Sequence, residues 1–233
     1  MAAARSELIP LIPAPGNRDA LASQRVRDKM AERIGQQGVR DARVLQAMAT
    51  VPRHLFLDPA LASRAYEDAA MPIGHGQTIS RPYIVARCAE LLLEAIPQPR
   101  SATVLEIGTG CGYAAAVLAQ LFGTVVSIER LRPMHELARA NLRPLRLPNL
   151  RLVFGDGSLG VPGQPPFDGI VAAAAGANVP APWLAQLRNE GRLVAPVGAG
   201  EQRLVVVNKD AAGRVSQRTV EAVRFVPLKP GTG

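Results

Sequence analysis

A chain of 233 residues, 48% hydrophobic and 20% charged, carries enough apolar material for one substantial core and too little for two. No run approaches the roughly 18 apolar residues of a membrane-spanning helix, so no membrane partner is expected. The formal net charge of +8 invites a nucleic-acid reading, but the basic residues, mostly arginine, are scattered from Arg5 to Lys229 without a basic block or interleaved aromatics, and they read as a solvated surface with no nucleic-acid partner.

In chain order, residues 1–20 hold three prolines and a short apolar patch interrupted by Pro10, too short for the apolar stretch of a secretory signal; they read as a flexible leader. The two cysteines, Cys88 and Cys111, fall in different elements, which without an export signal predicts free thiols and a cytoplasmic protein. Apolar residues recur at helical spacing from Leu21 to Gln37 (Val26, Met30, Ile34) and from Asp41 to Ala49 (Val44, Leu45, Met48), with Gly38 closing the first helix and Val51-Pro52 the second. The stretch from Met71 to Pro82, MPIGHGQTISRP, is too rich in Gly, Pro, Thr and Ser for a simple connector, and it leads into a helix over Pro82–Ala95 with a proline near its first position.

Short apolar runs then alternate with helical segments. The expected strands are Ala102–Ile107, Thr124–Glu129, Leu150–Phe154 and Asp168–Ala174, and the expected helices are Gly112–Leu121, Arg132–Leu142 and Pro182–Leu187. Strands apolar on both faces and separated by helices are the pattern of a parallel sheet covered on both sides. Three last strands, Arg192–Val197, Arg203–Val207 and Val220–Leu228, leave no room for a crossover helix between the final pair and predict an antiparallel finish. The expected fold is therefore α/β, a doubly wound, Rossmann-like, mostly parallel seven-stranded sheet with an N-terminal helical extension. Residues 21–100 form the helical region with the special loop, and residues 101–230 form the α/β core, joined in one unit.

The segment LEIGTGCGY, Leu105 to Tyr113, sits where a buried strand passes into a helix. Gly108, Gly110 and Gly112 allow a tight turn and close approach of a ligand to backbone N–H groups, which implies a nucleotide-like cofactor. A dinucleotide loop would want a small third residue at position 113, where Tyr113 stands, so the spacing instead resembles the loop of S-adenosylmethionine methyltransferases. Glu129, at the carboxyl end of the second strand of this core, can accept both hydrogen bonds of a ribose diol, or can be a carboxylate stabilised by the next helix dipole. Asp156, between Gly155 and Gly157, suits an adenine amino group or an ordinary turn. Thr109 and Arg130 complete the expected cofactor contacts. Three histidines, His54, His75 and His135, lie far apart without paired spacing, so no metal site is expected.

The loop AMPIGHGQTISRPYIVA, with QQGVRD and VLQAMATVPRHLF before it and LEIGTGCGY, GDG, PFD, APVG and VEAVRFVPL after it, resembles the protein-L-isoaspartate O-methyltransferase family in order and spacing from about Val26 to Leu228. The resemblance implies S-adenosyl-L-methionine as cofactor, with S-adenosyl-L-homocysteine as product. It implies action on the free α-carboxylate of L-isoaspartyl residues of damaged proteins and peptides, with D-aspartyl residues as a further candidate substrate; the chain is expected to act as a monomer. It also implies Ser80 as the active-site residue, with Gln77, Thr78 and Ile79 lining the pocket. Read from the residues alone, Ser80 is better taken as an N-cap for the helix that follows, a role that can coexist with the other.

Overall fold

The computed structural model describes residues 24–233, and the leader expected over residues 1–20 lies outside them. Helix α1 (Gln24–Gln36) buries Met30 and Ile34, one turn apart, against α2 (Ala42–Thr50), which contributes Val44, Ala47 and Met48. Asp41 caps α2 by accepting the Arg43 N–H, and Gly38 at φ +114° lets the chain reverse between the two helices. Two 3-10 turns follow, Arg53–Phe56 and Pro59–Arg64.

The special loop is more ordered than its composition predicts. Met71–Gly74 (β1) and Gln77–Ile79 (β2) pair antiparallel as a small hairpin, turned by Gly74, His75 and Gly76, all at positive φ. The two flanking glycines absorb most of that backbone demand, as hairpin turns require. Helix α3 (Pro82–Leu93) then packs into the core and ends two residues earlier than expected.

The main sheet is built from β3 (Thr103–Ile107), β4 (Thr124–Glu129), β5 (Leu150–Phe154), β6 (Phe167–Ala172), β8 (Leu187–Val197), β9 (Gln202–Lys209) and β10 (Val215–Val223). Its order is β10-β9-β8-β6-β3-β4-β5, parallel from β5 across to β8 and antiparallel over β9 and β10. Helices α4 (Tyr113–Leu121), α5 (Arg132–Leu142) and α6 (Ala181–Gln186) lie in the connections. Alternate residues of each strand enter opposite layers: Val104, Val125 and Val171 join α1 to α4 in one core, whereas Leu105, Ile107, Val126, Ile128 and Ile170 join Trp183 in the other. The first layer draws residues from both the N-terminal helices and the sheet, so the extension and the α/β core share buried contacts.

The strands depart from the sequence expectation in two ways: β8 and β10 begin five residues early, at Leu187 and Val215 where Arg192 and Val220 were expected, and two expected strands are divided. The strand expected over Asp168–Ala174 ends at Ala172, and Ala174–Ala175 forms a separate short strand, β7. The strand expected over Val220–Leu228 is divided: β10 ends at Val223, and β11 (Val226–Pro227) leaves the main sheet to run parallel to β7. The break is held by Gln202, whose amide donates to Phe225 O at 3.1 Å and accepts the Phe225 N–H at 2.6 Å. That side chain replaces the ladder bonds at the kink, and the kink swings Val226–Lys229 to the carboxyl edge of the sheet.

Candidate active site

At the end of β3 the chain turns through Gly108, Gly110 and Gly112, at φ +93°, +55° and +93°. Ile128 O of β4 accepts both the Gly108 and the Thr109 N–H, at 2.9 and 3.2 Å. Glu129 clasps the same turn: Oε2 accepts the Gly110 N–H at 2.9 Å and Oε1 accepts the Leu131 N–H at 2.9 Å. It is 6% exposed and still lines the cavity in front of the turn. Each carboxylate oxygen keeps a further lone pair, so the residue can both brace the loop and accept ribose hydroxyls.

That cavity, about 270 Å³, joins the two halves of the site. Its wall includes Gly108, Thr109, Gly110, Glu129, Arg130 and Gly157 from the sheet edge, and Gln77, Thr78, Ile79 and Ser80 from the hairpin. The structure thus brings together most of the residues singled out from the sequence. Gly112 stands apart: a Cβ there would meet Leu142 Cδ1 at 2.8 Å, so this glycine serves the packing of the loop on α5 and not the cavity wall. Gly155 and Asp156 are also absent from the wall. Asp156 Oδ1 accepts from Ser158 N and Oγ, and Oδ2 accepts the Gly231 N–H at 2.6 Å. Arg130 Nε donates to Gly231 O at 2.8 Å, so these two residues hold the segment that follows β11 beside the cavity.

Ser80 lies at a junction. It borders the cofactor-side cavity and also a groove of about 570 Å³ lined by Arg81, Ile84, Ala222, Arg224 and Phe225. Its hydroxyl has no hydrogen-bond partner among the described residues, and the N-cap of α3 is Arg81, which makes no side-chain cap. The exposed end of α3 is served instead by Asp68, whose Oδ1 accepts the Tyr83 N–H at 3.1 Å while Oδ2 pairs with Arg81 at 2.6 Å. The capping alternative for Ser80 therefore does not hold.

Leu131, Ala174 and Lys229 on the cavity wall were missed from the sequence, as was a buried carboxyl beneath the turn. Glu106, on β3 beneath the glycine turn, is 1% exposed and accepts a hydrogen bond from Ser127 Oγ, which in turn bonds Thr109 Oγ1 at 2.6 Å. Burial is the main cause that pushes the Glu106 carboxyl up to about 8, with the nearby Glu129 charge adding to it. An acidic residue between Leu105 and Ile107 on a strand apolar on both faces was the available signal.

A strand-ending glycine turn, an acidic residue closing the adjacent strand and a sheet that is parallel except at one edge define a Rossmann-like methyltransferase fold. A glycine turn offering N–H groups beside a carboxylate and an enclosed cavity suits S-adenosylmethionine, the cofactor of that class. The family profile for protein-L-isoaspartate(D-aspartate) O-methyltransferase matches residues 24–233, and the chain belongs to this family. It is 56% identical over 215 residues to a protein-L-isoaspartate O-methyltransferase of Methylibium petroleiphilum, covering 91% of this chain and 80% of that one. A Ralstonia nicotianae protein-L-isoaspartate O-methyltransferase is 53% identical over 227 residues, covering 91% and 71%. Among solved structures, a protein-L-isoaspartate O-methyltransferase superposes with TM-score 0.77 at 30% identity, over 89% of this chain and 67% of that one. A Plasmodium falciparum beta-aspartate methyltransferase in complex with S-adenosyl-L-homocysteine shares the fold, with TM-score 0.77 at 21% identity over 87% and 98%.

Proposed function

We propose that this enzyme methylates the free α-carboxylate of L-isoaspartyl residues in damaged proteins and peptides, with Ser80 orienting the carboxylate. The observation that carries the reading is the Ser80 hydroxyl, unpartnered among the described residues and bordering both the cofactor-side cavity and an open groove. Gly108, Thr109, Gly110, Glu129, Arg130 and Gly157 bind the cofactor end, while Gln77, Thr78 and Ile79 line the reacting end; Gly112 acts through loop packing, and Gly155 and Asp156 through the turn behind. S-adenosyl-L-methionine supplies an intrinsically activated sulfonium methyl.

The acceptor needs no general base, because an α-carboxyl with a pKa of roughly 3.5 is already ionised at neutral pH. What the chain supplies is alignment of carboxylate oxygen, methyl carbon and sulfur in a sheltered cavity, an effect that can supply roughly 7–11 kcal/mol. A carboxylate oxygen forms the new bond to the methyl carbon as the carbon–sulfur bond breaks. A neutral hydroxyl donor suits this step, since a tightly paired cation would hold the nucleophile in its ground state. Neither cysteine competes as a nucleophile: burial pushes the Cys88 thiol up to about 12 and the Cys111 thiol up to about 11. The resulting ester is attacked by the following backbone nitrogen, methanol leaves, and hydrolysis of the succinimide returns part of the material as normal aspartate.

The enzyme is read as a cytoplasmic monomer without nucleic-acid or membrane partners. Among the described residues no helix is long and apolar enough to cross a membrane, both cysteines are unpaired, and the exposed large apolar residues, Leu137, Leu159 and Val215, lie in three different elements. Incubation with methyl-labelled S-adenosylmethionine and two peptides differing only in Asp versus isoAsp tests the substrate. Base-labile label in the isoaspartyl peptide and little in its partner is expected; equal or alkali-stable labelling overturns the reading.

A further inference from the structure

Arg53 opens the first 3-10 turn and is 0% exposed, an unusual place for a guanidinium. Its Nε donates to Ala65 O at 2.8 Å and its Nη2 to Ser80 O at 2.8 Å, with Ala69 O at 3.5 Å. Its Cζ lies 4.8 Å from the centre of the Tyr113 ring, the first residue of α4 after the glycine turn. One side chain thus touches the Ser80 segment and the end of the cofactor loop together.

Among the described residues the charge of Arg53 has no counter-ion in contact with it. No carboxylate among the described residues forms an ion pair with it, and Nη1 has no hydrogen-bond partner there. Asp68, the acidic residue whose charge reaches it, is committed to Arg81, Gln37 and the Tyr83 N–H. Desolvation by burial lowers the Arg53 pKa, yet a guanidinium stays protonated in proteins. A buried cation held by carbonyls and an aromatic ring, with no anion in contact among the described residues, is costly, and an arriving anion would offset part of that cost.

We propose that Arg53 is a positioning residue for methyl transfer, a buried cation that fixes the Ser80 backbone against Tyr113 and lends its uncompensated charge to hold the acceptor carboxylate at Ser80. The proposal rests on the reading of Ser80 given above. The cation acts from behind the Ser80 carbonyl, so it draws the carboxylate to the serine without pairing with the oxygen that must attack. Carbonyl acceptors suit this arrangement better than a carboxylate, because they order the guanidinium and leave its net charge intact.

The test compares wild type, R53K and R53M in the full chain. Each is titrated, in saturating S-adenosylhomocysteine, with an isoaspartyl peptide and with the matching peptide whose free carboxylate is an amide. R53M is expected to narrow the preference for the charged peptide by about tenfold, with S-adenosylhomocysteine affinity shifted less than about threefold. R53K is expected to keep most of that preference while turnover falls at least about tenfold, because an ammonium cannot hold the carbonyls and stack on Tyr113 at once. An R53M enzyme with the full preference overturns the proposal. Should R53M fail to fold, R53K decides: full turnover, or turnover and S-adenosylhomocysteine affinity falling in parallel with thermal midpoint, overturns it. Wild type that labels Asp and isoAsp peptides alike strikes instead at the assigned substrate, whatever the Arg53 variants do.

Discussion

The two ends of the site are held by different physics. At the cofactor end, the turn from Gly108 to Gly112 is fixed by main-chain bonds to Ile128 O and by Glu129, both on a strand in full parallel register with β3. At the substrate end, the hairpin β1–β2 forms a sheet of its own, and the segment around it is tied down by long polar side chains arriving from other parts of the chain. Arg33 donates to Tyr66 O, Gln37 bonds Asp68 at 3.0 Å, Asp68 bonds the Tyr83 N–H, and Arg53 bonds Ser80 O. Changes at the cofactor end therefore act through folding and binding together, whereas changes at the substrate end can reach turnover alone.

The sharpest break in that contrast is Gly112→Val. The residue sits at φ +93°, and its Cβ would lie 2.8 Å from Leu142 Cδ1, so strain and overpacking add. A loss of about 3–5 kcal/mol is expected, together with weakened binding of S-adenosylhomocysteine. Urea unfolding and calorimetric titration check both; a stable variant with normal affinity would show that this glycine is not needed for the turn.

Next in size is the pH response set by Glu106. Its folded pKa of about 8 lies above the ordinary 4.5, so the folded chain holds a proton that the unfolded chain releases. The contribution to stability is fully present below about pH 4.5, falls as pH rises toward 8 and levels off above that. In Glu106→Gln this part of the decline disappears, so wild type should lose on the order of 2–4 kcal/mol more than the variant between pH 5 and 8. Parallel stability curves for the two proteins across that range would mean that Glu106 is ionised in the folded state.

What was legible in the sequence follows the same division. The parallel strands and the glycine turn could be read because burial on both faces and backbone conformation leave direct marks in residue type, as in the apolar run Val104–Leu105 and in Gly108 and Gly110. The hairpin β1–β2 could not, since its short strands carry Pro72 and Gly74 and its pairing is with itself alone. The division of the last strand depends on Gln202, some twenty residues earlier, clasping Phe225, a contact that no local pattern records. Asp156 could be read as a turn residue, but its use in holding Gly231 depends on where β11 leaves the sheet. Arg53 was visible only as part of VPRHLF, because nothing in its neighbours announces that it is buried under Ser80.

The smallest expected effect in free energy is the most selective. With Arg81 at the N-cap of α3 and Asp68 serving the Tyr83 N–H, the Ser80 hydroxyl contributes nothing to the helix end, so Ser80→Ala should leave the thermal midpoint within about one degree of wild type. Had the hydroxyl been a cap, its removal would have cost about 1 kcal/mol of stability with activity kept. Losing one hydrogen bond to a charged acceptor should instead raise the barrier by about 1.5–3 kcal/mol, a fall of roughly ten- to a hundredfold in kcat/KM for the isoaspartyl peptide. S-adenosylhomocysteine affinity should hold, because Glu129 and the glycine turn are untouched. Ser80→Thr separates the hydroxyl from the space around it: it keeps the donor but adds a methyl group where the cavity and the groove meet, so turnover should fall there also while stability is retained. A Ser80→Ala enzyme that turns over at the wild-type rate would move the carboxylate-binding role to backbone N–H groups of the hairpin, and the substrate end would then depend on main-chain donors as the cofactor end does.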